Sequence, residues 1–296
     1  MPFTNYKLII RYSTNMFLNL LGALGLLSSI IYILISTLKT PVLSYADINI
    51  AIQQTPHINS PIPSPKTQET ISYSGYCLNV PILMYHHIQP QNIAKEKWQT
   101  NFTVDNNTFD SQMTYLLSSN YTTISLEQLS QALTNHQNLP QKSIVLTFDD
   151  GYEDIYTYAF PIIQKYQLKA NLMIATGLMG NPDYLHWQQL KEMTASGQVF
   201  VYNHTWSHNN LTSSSSEKIK YEIQTANSQL ENYLGVKTNI FAYPYGSQNS
   251  NVINLLKENG FIAAVSTYPG TTQCDSFLMS LHRTRIGNSQ LKSYGI

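Results

Sequence analysis

Two adjacent carboxylates, Asp149 and Asp150, follow the apolar run 143–148, and two histidines four residues apart, His204 and His208, follow the apolar run 199–202. Like charges leaving a buried strand repel each other and lose hydration, so such a pair needs compensation, for example from a cation. Asp149-Asp150-Gly151 is also a good turn sequence, which is the plainer reading of those residues taken alone. On an extended strand His204 and His208 would lie roughly 13 Å apart, too far to share an ion. A turn or helical geometry brings such side chains to about 5–6 Å. A lone histidine pair at this spacing is more often incidental surface. Joined to one carboxylate, it becomes a facial set of two imidazoles and an oxygen donor, with positions left open for water and substrate. That donor set suits zinc, and also cobalt, iron or nickel.

Positioning these groups requires a scaffold that brings distant segments to one face. Short β-rich runs at 80–85, 122–125, 143–148, 170–175, 199–202, 240–242 and 262–265 alternate with amphipathic stretches at 109–117, 126–133, 155–166, 187–193, 217–234 and 252–259. The runs around 144–146 and 172–174 are apolar throughout, as strands covered on both faces are. An α/β parallel sheet or barrel follows, whose chemistry belongs at the carboxyl ends of its strands. The polar clusters fall there: His86-His87 after the first strand, then Asp149-Asp150-Gly151, Asn203 to His208, and Tyr243-Pro244-Tyr245-Gly246.

Thr147-Phe148-Asp149-Asp150-Gly151-Tyr152, His204-Thr205-Trp206-Ser207-His208 and Tyr243-Pro244-Tyr245-Gly246 resemble three motifs of the NodB-type polysaccharide deacetylases, carbohydrate esterase family 4. The resemblance covers residues 80–286. Pro81 to Ile88 at the front and Leu281 to Ile286 at the back resemble the circularly permuted branch, which includes poly-N-acetylglucosamine deacetylases. It implies a distorted (β/α) barrel and metal-dependent hydrolysis of N-acetyl groups, giving acetate and glucosamine units. By position, Asp149 becomes the general base, Asp150, His204 and His208 the metal ligands, and His86 the general acid. The Tyr245 backbone N–H becomes an oxyanion donor. His87 and His282 read as packing or supporting residues. Where the family commonly carries an arginine that pairs with the base, this sequence has Ala242, and Arg283 or Arg285 is the candidate replacement. Trp187, Trp206 and Tyr243 are candidates to face the acetyl methyl or a sugar ring, although a tryptophan is more often packing. Peptidoglycan is the alternative polymer, and a catalytically inactive carbohydrate-binding relative the alternative class. Asp149 argues against the latter, because binding alone does not need a base.

A formal net charge of zero, with only 11% of residues charged, supplies no basic field for nucleic acid. No charged residue lies between Arg11 and Lys39, a stretch long enough to span a bilayer, which takes about 20 residues. The expected organisation is a short cytoplasmic segment at 1–15, a transmembrane anchor at 16–38, a Pro/Ser/Gln-rich tether at 39–76 and a deacetylase domain at 77–296. The domain is expected on the extracytoplasmic side, because Lys7 and Arg11 precede the apolar run. A cleaved signal peptide is the competing reading, with small residues at Ser44-Tyr45-Ala46. Cys77 and Cys274 either pair or remain two buried thiols.

Overall fold

The computed structural model describes residues 74–296. The anchor expected at 16–38 and all but the last residues of the tether lie outside the described residues. Among those described, no helix is long and apolar enough to cross a membrane.

The strands are β1 Cys77–Asn79, β2 Ile82–Tyr85, β3 His87–Ile88, β4 Thr103–Val104, β5 Thr122–Thr123, β6 Ser143–Phe148, β7 Ala170–Ile174, β8 Val199–Asn203, β9 Ile240–Ala242, β10 Ala263–Val265, β11 Thr272–Cys274 and β12 Thr284–Arg285. Every residue of β6 and β7 is buried, as the apolar runs 144–146 and 172–174 within them require of strands covered on both sides. A curled parallel half-barrel runs in the order β10-β9-β8-β7-β6-β2-β12, with β5 also pairing with β6. One segment reaches both edges of the curl. The Leu281 N–H donates to the Ala264 carbonyl at 2.8 Å and the Ser266 N–H donates to the Leu281 carbonyl at 2.8 Å, while Thr284 and Arg285 align with Leu83 and Met84 of β2. Arg283 is thereby carried between the edges.

Side chains alternate between two cores. Leu83, Tyr85, Ile144, Leu146, Leu172 and Ile174 join the core packed by Phe109, Met113 and Leu116 of the helix Asn106–Ser118. Ile82, Val145, Met173 and Tyr202 join Leu126, Leu129 and Leu133 of the helix Leu126–Thr134 on the other side. Each fully buried aliphatic side chain contributes roughly 1.5–3 kcal/mol to that packing. The strand expected at 122–125 is shorter because Ser125 turns to cap the helix that follows, exchanging side-chain and backbone bonds with Gln128. The helix expected at 155–166 opens with a π turn at Ile155–Ala159, beside Pro161, which has no N–H to donate.

The two cysteines form a disulfide, settled by register: β1 and β11 pair antiparallel with Cys77 opposite Cys274. Residues 74–76, counted above with the tether, belong to this docked region. The Tyr76 N–H donates to Asp275 Oδ1 at 3.1 Å, and the Ser276 hydroxyl to the Ser74 carbonyl at 2.6 Å.

Candidate active site and metal centre

Asp149 leaves the end of β6 with its N–H donated to the Tyr85 carbonyl at 3.0 Å. Its carboxylate is gripped by Arg283, with Nη1 donating to Oδ1 at 2.7 Å and Nη2 to Oδ2 at 2.8 Å. This is a fork-on-fork pair, the strong geometry for a guanidinium and a carboxylate. Arg283 is 1% exposed and aimed by its own Nε, which donates to the Ser266 carbonyl at 2.7 Å. Burial alone would raise the Asp149 carboxyl; the Arg283 guanidinium, together with His204 and His86, outweighs it and holds the group below the usual carboxylate value. Of the two arginine candidates, Arg283 therefore takes the place of the residue missing at Ala242. Arg285 instead donates to the Asn101 carbonyl at 2.7 Å and lies over the Phe102 ring at 4.5 Å.

Asp150 faces the other way. Its backbone is in the left-handed region at φ 74°, and Oδ1 lies 3.3 Å from His204 Nε2 and 3.1 Å from His208 Nε2. One ligand atom from each of the three residues lies within 4.8 Å of the others. Thr205 and His208 also have positive φ, 68° and 57°, so the histidines converge through a strained turn and not a helical one. His204 Nδ1 bonds the Ala242 carbonyl at 2.9 Å, which makes Nδ1 the protonated nitrogen and leaves the Nε2 lone pair directed at Asp150. Asp150 Oδ1 is buried without a hydrogen-bond partner. Lone pairs converging on an orphaned carboxylate oxygen are the electrostatic demand that a divalent cation meets, and a backbone carbonyl behind a ligand histidine is the usual support. The three residues fit a metal ion.

The turn carrying the histidines rests on Glu222, a fully buried carboxylate of the helix Ser216–Leu234. The Trp206 and Ser207 amides donate to its Oε2 at 3.0 and 2.8 Å, and the Ser207 hydroxyl to Oε1 at 2.7 Å. Lys218 closes the arrangement at 2.8 Å. Sequence reading passed over Glu222, yet the signal was present: it shares the helix face of Ile219, Ile223, Ala226 and Leu230, where an unpaired carboxylate would be costly.

His86, Asp149, Asp150, His204, His208 and Tyr245 line one open cavity of about 870 Å³. Burial lowers His86 below its ordinary value, with Asp149 and Asp150 pulling upward and Arg283 and Arg285 adding to the depression. Tyr245 has φ 60° and is followed by Gly246 at φ 69°, where an added Cβ would meet Thr267 Oγ1 at 2.0 Å. His87 also borders the cavity but is engaged in a pairing of its own: Nδ1 lies 2.5 Å from Asp154 Oδ2, and its ring stacks on Tyr152 at 3.6 Å. His282 stacks on Phe277 outside the cavity.

The aromatic candidates fare differently. Tyr243 borders the cavity but is fully buried, and its hydroxyl donates to the Met279 carbonyl at 2.8 Å, so it packs and does not present a sugar-binding face. Trp187 stacks on Tyr233 at 4.3 Å, and Trp206 meets Tyr221 edge-on at 5.5 Å. Neither lines the cavity, because each is used to seat a helix or the histidine turn. The exposed aromatics at its mouth, Trp98 and Phe102, lie on a loop whose sequence gave no motif to notice.

A family model described as polysaccharide deacetylase matches residues 136–264. Polysaccharide deacetylase YxkH of Bacillus subtilis is similar at 30% identity over 207 residues, 70% of this chain and 71% of that protein. The chain belongs to the polysaccharide deacetylase family. It is a hydrolase of N-acetyl amide bonds within a metal-dependent family, and Asp150, His204 and His208 are its candidate ion site. The deacetylase is also similar to poly-β-1,6-N-acetyl-D-glucosamine N-deacetylase of Staphylococcus aureus, at 26% identity over 218 residues, covering 67% of this chain and 73% of that protein. Among solved structures, the Streptococcus pyogenes deacetylase PplD in complex with acetate superposes with a TM-score of 0.67 at 31% identity, covering 71% of this chain and 92% of that one. The matched family region takes in both carboxylates and both histidines but stops short of His86 and Arg283 on either side, and the curled sheet brings those two back to it.

Proposed function

We propose that this deacetylase removes N-acetyl groups from an exopolysaccharide of the poly-β-1,6-N-acetylglucosamine type, the substrate named for the staphylococcal relative, releasing acetate and leaving glucosamine units. The observation that carries the reading is the unequal surroundings of two neighbouring carboxylates: Asp149 accepts two bonds from Arg283, whereas Asp150 Oδ1 is buried without a hydrogen-bond partner and faces the ring nitrogens of His204 and His208.

In this mechanism Asp149 is the general base. Each carboxylate oxygen keeps a further lone pair while bonded to Arg283, and the guanidinium keeps the group ionised at neutral pH, so it can accept the proton of the attacking water. A divalent ion held by Asp150, His204 and His208 would supply Lewis acidity, polarising the acetamide oxygen and activating water. The Tyr245 backbone N–H is the proposed second donor to the developing oxyanion. His86, across the cavity from the histidine pair, protonates the departing amine. Zinc is the proposed ion, with cobalt, iron and nickel chemically compatible. The domain map 1–15, 16–38, 39–76 and 77–296, with residues 74–76 moved from the tether to the catalytic domain, completes the proposal, and 16–38 anchors the catalytic unit to a membrane on its extracytoplasmic side.

Acetate release from β-1,6-linked N-acetylglucosamine oligomers and from peptidoglycan fragments, measured with Zn²⁺ or Co²⁺, tests the reading. Faster release from the β-1,6 oligomers is expected. Preference for peptidoglycan would reassign the polymer, and no release from any N-acetylglucosamine oligomer would sink the proposal.

A further inference from the structure

We propose that Trp98, together with Phe102 and Arg285, forms a sugar-binding subsite on the rim of the catalytic cavity, taking the face of the N-acetylhexosamine unit next to the one being deacetylated. This rests on the polysaccharide reading above and assigns part of the specificity to a loop outside the motifs.

Trp98 is 94% exposed, whereas Trp187 and Trp206 are half-buried. A single exposed apolar side chain is ordinary on a protein surface. Three observations set this one apart. It lines the same cavity as Asp149, Asp150 and His204. Its backbone is held at φ 58°, a conformation that bulky residues avoid. The turn beneath it is also fastened on several sides: the Trp98 N–H donates to the Lys95 carbonyl at 3.3 Å, the Gln99 N–H to the Ala94 carbonyl at 2.8 Å, and Gln89 Nε2 to Gln99 Oε1 at 2.8 Å. Lys97 adds an ion pair to Asp183, a residue of the facing wall of the cavity. The turn that carries the indole is thus held in place instead of being a free loop.

A ledge continues inward from it. Phe102 is 51% exposed, its ring lies 5.4 Å from that of His86, and the Arg285 guanidinium covers it at 4.5 Å. His86 addresses the reacting nitrogen, so aromatic surface extending from it toward the rim addresses a neighbouring unit of the same chain. An N-acetylhexosamine ring matches this surface chemically: one face is a row of C–H groups suited to stacking on an indole, and its edge carries hydroxyls that a guanidinium can reach. The sugar is uncharged, in keeping with a rim where Lys97 and Asp183 neutralise each other.

Titrating the protein with β-1,6-linked N-acetylglucosamine oligomers of two to six units, while following tryptophan emission, reads the subsite directly, because Trp98 is the exposed indole. Emission should shift with the longer oligomers in the native protein and stay unchanged in Trp98→Phe. In parallel, kcat/KM should rise with oligomer length; Trp98→Ala should lose about tenfold on the hexamer, mainly through KM, and Trp98→Phe should recover most of it. An emission unresponsive to every oligomer, or an unaltered length dependence in Trp98→Ala, would overturn the subsite. So would a Trp98→Ala defect confined to self-association in sedimentation, which would make the indole a contact between copies. If the native protein released no acetate yet its Trp98-dependent emission responded, the subsite would stand and the proposed activity would fall.

Discussion

The floor of the cavity and its rim are built on different principles. On the floor, Asp149, Asp150 and His204 are buried, and Asp149 and His204 are fixed by partners that are themselves buried: Arg283 behind Asp149, the Ala242 carbonyl behind His204, and Glu222 beneath the turn that leads to His208. On the rim, Trp98, Phe102 and Tyr245 are exposed, and Arg285 rests on a ring and a single carbonyl. Charges withdrawn from water must be matched by neighbours, so Asp149 and His204 are each pinned by a buried partner, while Asp150 Oδ1 is left facing the histidine nitrogens. Groups on the rim remain hydrated and are free to vary with the polymer they meet. On the proposed reading, reaction chemistry is written into the interior and polymer choice into the surface.

The contrast predicts a descending series of effects. Asp149→Asn should lower turnover by about 10²–10⁴-fold while retaining metal by elemental analysis, whereas His204→Ala should lose the metal; equal metal loss in both would erase the division between the two carboxylates. Arg283→Met should follow, costing about 3–5 kcal/mol of stability because it leaves a buried carboxylate unpaired. Chemical denaturation measures that loss, and Arg285→Met should leave the midpoint nearly in place. Glu222→Ala should weaken metal affinity by about 10–100-fold through the slackened histidine turn, read by competition with a chelator.

The smallest expected effect is a shift in pH dependence. Arg285 helps hold His86 below its ordinary value, and the acid must be protonated to act, so activity falls as pH rises through that value. Removing the positive charge in Arg285→Gln favours the protonated form and should move the alkaline limb of kcat/KM upward. A limb moving downward, or not at all, would detach the rim arginine from the acid.

Much of this floor was legible in the sequence because burial leaves a pattern. The apolar run 144–146 within β6 and the spacing of His204 and His208 marked their places, and Ala242 marked a missing cation. Choosing between Arg283 and Arg285 was beyond sequence, since positions two apart share a face in an extended segment and nothing local shows that β12 begins only after Arg283. The turn at 204–208 was equally hidden: Thr205 and His208 have positive φ, and the amides between them are held by Glu222 from a helix starting eight residues beyond His208. Trp187 and Trp206 were offered as sugar contacts on residue type alone, and burial against Tyr233 and Tyr221 gives them other work. Trp98 went unremarked for the opposite reason, since an exposed indole on a short loop belongs to no periodic pattern.

The segment that spans both edges of the curl also sets a schedule. A chain emerging amino end first presents His86, then the two carboxylates, then the histidines, and Arg283 arrives only after all of them. Until it does, Asp149 has no cationic partner in its buried place and the sheet has no bridge between its edges. A chain ending at residue 270 would hold every proposed metal ligand and still lack the clasp of Asp149, so truncation there should spare the ion site's residues and remove the partner of the proposed base.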